Sequence, residues 1–184
     1  MELSLITRQN NEIDTYVFLY GKNFEGALKD YFRITGVPAL IPRYALGIWW
    51  SRTIPYSEDE INTLTEEFEE REIPLSVLLL DKDWHIRKYK DKILDTGFSW
   101  NRSLIPSPKK MIEDLHKKGI HIGLSVNPLD GIYPYEDNFN YITNYLEKDA
   151  SGNVPFQVLN PRYIDVYLKF LINPLDAVGT DFYW

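Results

Sequence analysis

Short apolar runs alternate with amphipathic segments along most of this chain. Residues 45–50, 75–80 and 120–126 are predominantly apolar runs of strand length. Runs of this kind are typical of strands that are buried on both faces. Between the runs, apolar residues recur at intervals of three and four, which predicts helices with one buried face. The alternation indicates an α/β fold in which helices cover a parallel sheet.

Local signals mark three helices, each of which follows one of these strands. Ser57 followed by Glu60 has the spacing of a capping box, so a helix is expected from this point. Pro108 opens a second helix that stops at Gly119. A third helix is predicted to begin at Pro161.

The two ends of the chain carry further predicted elements. Residues 15–20 are β-branched and aromatic, and they predict a strand. Asn23 can cap a helix that ends near Gly36. Residues 178–184 predict a last, buried strand that runs to the final residue. We therefore expect residues 1–22 to be a linker strand and residues 23–184 to form one α/β domain.

The connections differ strongly in length at the two ends of the predicted strands. Long segments, residues 82–106 and 127–160, follow strand ends, whereas the link into the second strand at residues 72–74 is short. Long loops crowded at the carboxyl ends of parallel strands are typical of a (β/α)8 or TIM barrel. About four β/α units are present, so the prediction is half of such a barrel. An open doubly wound sheet is the alternative, although no glycine-rich phosphate loop follows any strand.

Composition excludes several classes of function. The net charge of −7 argues against binding to nucleic acid or to an anionic membrane. The chain has no cysteine, and no apolar run reaches the length of a membrane span. No signal peptide is visible at the N-terminus, which predicts a cytoplasmic protein. Aromatic residues make up 15% of the chain, which suits either a sugar-stacking surface or ordinary core packing.

The first candidate site is Asp81-Lys82-Asp83-Trp84-His85, directly after the second strand. Charged carboxylates accept strong hydrogen bonds from sugar hydroxyls, and a tryptophan face can cover a sugar ring. A metal site that uses Asp81, Asp83 and His85 is a rival interpretation, and solvated loop charge is another. Neither a cofactor nor a metal is part of the main prediction.

The ends of the first and third strands carry weaker candidates. Adjacent residues of a strand face opposite sides, so only one of Trp49 and Trp50 can point to a given side. Arg52 could pair with Asp81 or Asp83 and support the geometry of that carboxylate. Asn127 stands before a proline and is either a ligand contact or a turn residue. His116 and His121 are interpreted as structural or exposed.

An ordered set of short stretches resembles glycoside hydrolase family 31, the family of α-glucosidases and α-xylosidases. The set is densest over residues 31–126 and resumes at the C-terminus. The matching stretches are residues 35–38, 42–47, 51–52, 73–75, 81–85, 98–101, 115–119, 127–128 and 179–184. The resemblance also implies that residues 1–22 are the end of the family's upstream β-sandwich. The segment 129–160 does not match closely enough for residues to be transferred.

The resemblance implies a retaining α-glycosidase with two catalytic carboxylates. It matches Asp81 to a position that hydrogen-bonds the sugar in the innermost subsite, and Trp184 to a wall of that subsite. Trp84 and Lys82 fall in the same substrate-binding motif, with Asp83 and Arg52 as supporting residues. Lys82 and Thr53 depart from the family pattern, which leaves the preferred sugar open. The family nucleophile lies two residues beyond the position of Trp184, and the acid/base lies further on.

These correspondences imply different expectations for the parent enzyme and for the 184-residue chain. The parent is expected to hydrolyse terminal α-linked sugars of oligosaccharides or glycosides. The chain by itself is expected to be inactive, because neither catalytic carboxylate is among its residues. Weak sugar binding or a purely structural, self-assembling half-barrel are the alternatives. Four strands cannot close a barrel, so the open edges predict a homodimer.

Overall fold

The computed structural model describes residues 16–184, which belong to two compact units that divide after Pro42. In the first unit, helix α1 spans Phe24–Thr35. The Asn23 side chain caps it by accepting a hydrogen bond from the amide of Gly26 (3.1 Å), and the helix ends before Gly36, as predicted.

The strand that was expected over residues 15–20 is absent from the described part, residues 16–20. An apolar, β-branched segment becomes a strand only when its backbone groups pair with a neighbouring strand. No described residue pairs with this segment in that way. Thr15 and the rest of the proposed linker lie outside the described residues.

The second unit is built on a parallel sheet and a small antiparallel hairpin. The strands are β1 (Ile48–Arg52), β2 (Leu75–Leu80), β3 (Lys88–Tyr89), β4 (Lys92–Ile93), β5 (His121–Leu124) and β6 (Phe182–Tyr183). The parallel sheet has the order β1-β2-β5-β6, and β3 pairs with β4 in the hairpin. In the described residues the sheet does not close, because β1 and β6 each pair with one neighbour. The α/β class and the incomplete parallel barrel are therefore confirmed.

Three helices of this unit, which follow Ser57, Ser107 and Asn160, begin where the sequence predicts. The helices of the unit are α2 (Glu58–Glu70), α3 (Pro108–Lys117), α4 (Phe139–Leu146), α5 (Pro161–Val166) and α6 (Asn173–Val178). The Ser57–Glu60 capping box is present, with the Ser57 amide donating to Glu60 Oε2 at 2.8 Å. Helix α4 was not predicted, because it lies inside the polar segment 127–160.

The last helical segment is longer than expected, and the last strand is shorter. A π-helical stretch over Tyr167–Ile172 joins α5 to α6, so helical structure continues to Val178. Pro174 has no N–H for the Phe170 carbonyl, which instead accepts a hydrogen bond from Asn138 Nδ2 (2.9 Å). Gly179 then turns the chain in a left-handed conformation. The prediction of a strand from residue 178 is therefore wrong at its start, and only Phe182–Tyr183 joins the sheet.

Side chains of the sheet alternate between two faces. The helix-covered face carries Leu78, Leu80, Ile122 and Leu124, which belong to one buried cluster with residues of α2, α3 and α6. A second cluster lies in the segment after β5 and includes Ile132, Phe139, Ile142 and Tyr163. Val126 packs against both clusters and links them.

The two long connections both leave the carboxyl ends of strands, as predicted. The first, between β2 and α3, contains the 3₁₀ turn Lys82–Trp84 and the β3–β4 hairpin. The second, between β5 and α5, contains α4 and a bridge between Ile132 and Val154. Among the described helices, none combines the length and the apolar character that crossing a bilayer requires.

Candidate carbohydrate site

The carboxyl ends of β2, β5 and β6 meet at one edge of the sheet. Asp81 directly follows β2, Ser125 follows β5 and Trp184 follows β6. The Ser125 amide donates to the Leu80 carbonyl (2.9 Å), and the Val126 amide donates to the Trp184 carbonyl (2.9 Å). Asp81 and Trp184 therefore flank the end of β5, and two strand spacings put their backbones roughly 10 Å apart.

Asp81 is half-buried and is oriented by its own backbone turn. Its Oδ1 accepts a hydrogen bond from the Lys82 amide (2.8 Å), which caps the 3₁₀ turn Lys82–Trp84. Asp81 also lines a small cleft, together with Ile54, Tyr56, Leu80, Trp84 and Ile105. One carboxylate oxygen is thus engaged in fixing the turn, and the second is the atom that could accept a hydroxyl hydrogen bond.

Trp84 lies inside the core, although it follows Asp81 closely in the sequence. Its side chain is 2% exposed, and its Nε1 donates to the Ser125 carbonyl at 2.8 Å. Its ring packs edge-on against Trp100 with centroids 5.0 Å apart. In this position the ring cannot offer a full face to a sugar, and its contacts join the ends of β2 and β5.

Lys82 and Asp83 belong to a charged network on the β3–β4 side of the rim. Arg87 pairs with Asp83 (Nη1–Oδ1, 2.9 Å) and with Asp95 (Nη2–Oδ1, 2.6 Å), and Lys82 Nζ lies 3.3 Å from Asp95 Oδ1. Hydrogen bonds from Lys82 and Arg87 hold the pKa of Asp95 below its usual value. The network orders the loop that follows Asp81.

Arg52 does not join this network. It is exposed at the end of β1, and within residues 16–184 no ion pair links it to Asp81 or Asp83. Asp83 pairs instead with Arg87, which stands four residues away and is held by a further hydrogen bond from its Nε to the Leu94 carbonyl (2.9 Å). The proposed pairing of Arg52 with a rim carboxylate is therefore not present.

Aromatic rings cover the sheet face opposite the helices. Trp49 points to this face, while Trp50 packs against Phe68 on the helix side (5.5 Å), so the predicted alternation is confirmed. The Trp49 ring lies 5.1 Å from Phe182 and 6.3 Å from Trp184. Trp184 is 72% exposed. The terminal tryptophan thus has an accessible ring, held beside Trp49 near the rim.

Glu136 is a buried carboxylate that the sequence did not single out. It is 4% exposed and accepts hydrogen bonds from the Phe98 amide (3.0 Å) and from Ser99 Oγ (2.6 Å). Burial raises the pKa of Glu136 to about 7, against the opposing effect of these hydrogen bonds. The side chain ties the second long connection to the first, and only the fold brings these segments together.

Three tyrosines from the same two connections form an aromatic group that sequence reasoning also missed. Tyr133 and Tyr135 are stacked with centroids 5.7 Å apart, and Tyr89 packs edge-on to Tyr133 at 5.2 Å. The Tyr135 hydroxyl donates to the Thr96 carbonyl (2.5 Å). The high aromatic content was the available signal, but it could not indicate which tyrosines would meet.

The remaining candidate residues, His85 and Asn127, support the local structure. His85 is fully buried, with Nδ1 2.8 Å from the Ile86 carbonyl, and burial lowers its pKa. Asn127 Oδ1 accepts from the Leu129 amide (3.0 Å), as a turn residue does. In the part of the chain that the structure describes, Asp81, Asp83 and His85 do not form a metal-binding group.

Comparisons with known proteins identify the family to which the chain is related. Residues 38–184 match the family model described as the glycosyl hydrolases family 31 TIM-barrel domain. An α-xylosidase of Saccharolobus solfataricus is 38% identical over 120 residues, which are 65% of this chain and 16% of that protein. Alpha-glucosidase 2 of Bacillus thermoamyloliquefaciens is 32% identical over 154 residues, which are 80% of this chain and 18% of that protein.

Solved structures show the same fold. A family 31 α-xylosidase from Xanthomonas citri superposes with a TM-score of 0.68 at 19% identity, covering 89% of this chain and 18% of that one. A family 31 dextranase from Flavobacterium johnsoniae, complexed with isomaltotriose, gives a TM-score of 0.65 at 22% identity, covering 90% of this chain and 21% of that one. The chain thus spans about a fifth of the length of these proteins. Because the family model matches residues 38–184, the chain belongs to glycoside hydrolase family 31.

Proposed function

We propose that this chain supplies one wall of the sugar-binding site of a retaining α-glycosidase that acts on terminal α-linked sugars. The observation that carries the proposal is the shared rim, where Asp81 and Trp184 flank the end of β5. A carboxylate accepts hydroxyl hydrogen bonds, and an exposed indole ring covers the apolar face of a pyranose. The α-xylosidase and α-glucosidase relatives support the substrate class.

Each rim residue has a distinct part in this proposal. Asp81 binds sugar hydroxyls through its free carboxylate oxygen, and Trp184 forms the wall. Lys82 and Asp83 order the loop through the Arg87–Asp95 network. Trp84 supports Asp81 from the core, and Arg52 is free to face substrate or the remainder of the enzyme.

Sugar binding by the chain alone is expected to be weak, because one wall supplies few of the contacts that a pocket needs. We expect a Kd in the millimolar range, which corresponds to a binding free energy of about 4 kcal/mol. We would titrate methyl α-D-glucoside and methyl α-D-xyloside and follow amide chemical shifts. Asp81→Asn keeps the cap on the Lys82 amide but removes the charge, and it should weaken binding several-fold. Asp91→Asn, at an exposed position of the hairpin turn, is the matched control. Equal affinities for the two variants would remove Asp81 from the site.

We also expect the 184-residue chain to have no turnover with an aryl α-glucoside. The resemblance places the nucleophile and the acid/base beyond Trp184, and a retaining mechanism requires both. The assay uses untreated chain and chain with Asp81→Asn. Hydrolysis that copurifies with the chain and disappears in the variant would show that the catalytic carboxylates lie within these residues.

Self-association is the second candidate property, and the open sheet favours it. β1 and β6 each have one unpaired edge in the described residues, and such edges pair readily with another chain. We propose a homodimer formed through these edges. Light scattering should give twice the chain mass, and Ile48→Lys on the β1 edge should give the monomer. Ile93→Lys, at an exposed hairpin position, is the control. A monomeric unmodified chain would contradict the proposal.

The cytoplasmic location stays a prediction.

A further inference from the structure

Two histidines and an aspartate converge at the end of the sheet opposite the candidate sugar site. His121 is the first residue of β5, Asp181 directly precedes β6 and His116 lies in the last turn of α3. The sugar-site residues follow their strands, whereas His121 and Asp181 stand at strand starts. The cluster is therefore separated from the rim by the length of the strands.

The side-chain atoms of this cluster are close enough to share one ion. One nitrogen of each histidine and one Asp181 oxygen all lie within 4.8 Å of one another. His116 Nε2 is 2.8 Å from Asp181 Oδ2, and His121 Nδ1 is 2.9 Å from Asp181 Oδ1. Ligand bonds of about 2.0–2.2 Å at tetrahedral angles need slightly wider spacing, which small side-chain rotations can supply.

The surrounding structure holds the ligands in place. The Ile122 amide donates to Asp181 Oδ2 (2.7 Å), and the Asp181 amide donates to the Ile122 carbonyl (3.0 Å). The ring of Tyr44 stacks on His121 with centroids 3.8 Å apart. Supporting contacts of this kind orient metal ligands and limit the cost of assembling the site.

Charge and exposure also suit a cation. The Asp181 side chain is 17% exposed, and those of His116 and His121 are 37% and 33% exposed. The Asp181 carboxylate lies within hydrogen-bond distance of both imidazoles and of the Ile122 amide. The cluster thus joins one carboxylate to two imidazoles, with an open side from which an ion and a water molecule can enter.

We propose that His116, His121 and Asp181 form a binding site for a divalent transition-metal ion, best matched by Zn²⁺. Two imidazole nitrogens and one carboxylate oxygen are ligands that Zn²⁺ accepts, and water completes four-coordination. The ion would clamp α3, β5 and the entry to β6 together. Because the site lies at the amino ends of the strands, its role is stabilisation of the fold.

The test is a Zn²⁺ titration of the untagged 184-residue chain after treatment with EDTA and removal of the chelator. Calorimetry should show one Zn²⁺ per chain, and Zn²⁺ should raise the melting temperature by several degrees. Co²⁺ in place of Zn²⁺ should give the visible spectrum of a tetrahedral site.

Variants of the ligands decide whether the ion binds at this cluster. His116→Ala removes a ligand at a partly exposed helix position. Loss of a supporting contact weakens metal binding by up to about 100-fold, so loss of this ligand should weaken Zn²⁺ binding by more than that. Asp181→Asn keeps the size of the side chain and should weaken binding similarly. Lys117→Ala, on the same helix turn, should bind Zn²⁺ like the unmodified chain. Circular dichroism checks that each variant is folded.

Two results would overturn the proposal. The absence of saturable one-to-one binding would show that the cluster is held by hydrogen bonds alone. Equal Zn²⁺ affinity in the folded His116→Ala variant and in the Lys117→Ala control would place the bound ion elsewhere on the chain.

Discussion

At the scale of single residues, the long connections are tied together by buried polar side chains. Glu136 bonds to the Phe98 amide and Ser99 Oγ, and Ser99 Oγ in turn accepts from the Asp137 amide at 2.8 Å. A carboxyl group in this position satisfies buried donors that would otherwise be costly. Its own charge is costly as well, because burial disfavours the ionised form.

This conflict predicts a pH dependence of stability that Glu136→Gln should remove. The pKa of Glu136 is about 7 in the folded chain, against 4.5 for an exposed glutamate, the value used for the unfolded chain. Between these pH values the folded chain therefore binds more protons than the unfolded chain. The free energy of unfolding should therefore fall as the pH rises from 4.5 to 7, by on the order of 3 kcal/mol. Urea unfolding across this range measures the effect.

A neutral glutamine cannot lose a proton, so the difference in stability between Glu136→Gln and the unmodified chain should change across the same pH range. Glu66→Gln, at an exposed position of α2, should leave the slope unchanged. Parallel pH profiles for the unmodified chain and the Glu136→Gln variant would show that Glu136 is not responsible.

At the scale of elements, the second long connection is closed by one tight backbone contact. Gly131 has a φ of +86° and precedes Ile132, whose amide donates to the Val154 carbonyl at 2.8 Å. A Cβ atom at Gly131 would lie 2.2 Å from the Val154 carbonyl oxygen. Glycine is therefore required here both by conformation and by space.

Gly131→Ala should lower the free energy of unfolding by at least about 1–2 kcal/mol, since a left-handed φ alone has this cost for other residues. Gly152→Ala is the matched control in the same connection, because nothing lies within 4 Å of a Cβ atom at that position. Urea unfolding of both variants compares them directly. Similar midpoints would indicate that the bridge between Ile132 and Val154 contributes little.

At the scale of the second compact unit, two apolar clusters are coupled through shared contacts. Val126 packs against both clusters. Phe98 and Trp100 are close neighbours in the first long connection, but Phe98 belongs to the second cluster and Trp100 to the first. The Thr96 hydroxyl also donates to the Asn127 carbonyl across the two connections. We therefore expect residues 43–184 to unfold as one cooperative unit.

Truncation of one isoleucine in each cluster tests this cooperativity. Ile112→Ala and Ile142→Ala each remove a fully buried side chain and should cost about 2–5 kcal/mol. Leu129 is 70% exposed, so Leu129→Ala should leave the free energy of unfolding nearly unchanged. Tryptophan fluorescence reports mainly on the first cluster, and far-UV circular dichroism also reports on α4, α5 and α6. The two signals should change together in both variants, and an earlier loss of circular dichroism in Ile142→Ala would separate the clusters.

The sequence by itself determined the features that depend on neighbouring residues. The capping box of α2, the start of α3 at Pro108, the apolar run of β2 and the position of Asp81 after it could all be predicted, because each depends on local periodicity or capping. The ordered family motifs added the identity of the barrel.

Only the tertiary structure decided which distant residues meet. Asp181 reaches His116 and His121, Glu136 reaches Ser99, and Trp84 turns into the core, because the chain path brings these segments together. The early end of the predicted strand at residues 178–184 has the same origin. Val178 extends a helix whose length is set by packing and by the π-helical stretch, and a strand exists only where β5 offers a partner for Phe182–Tyr183.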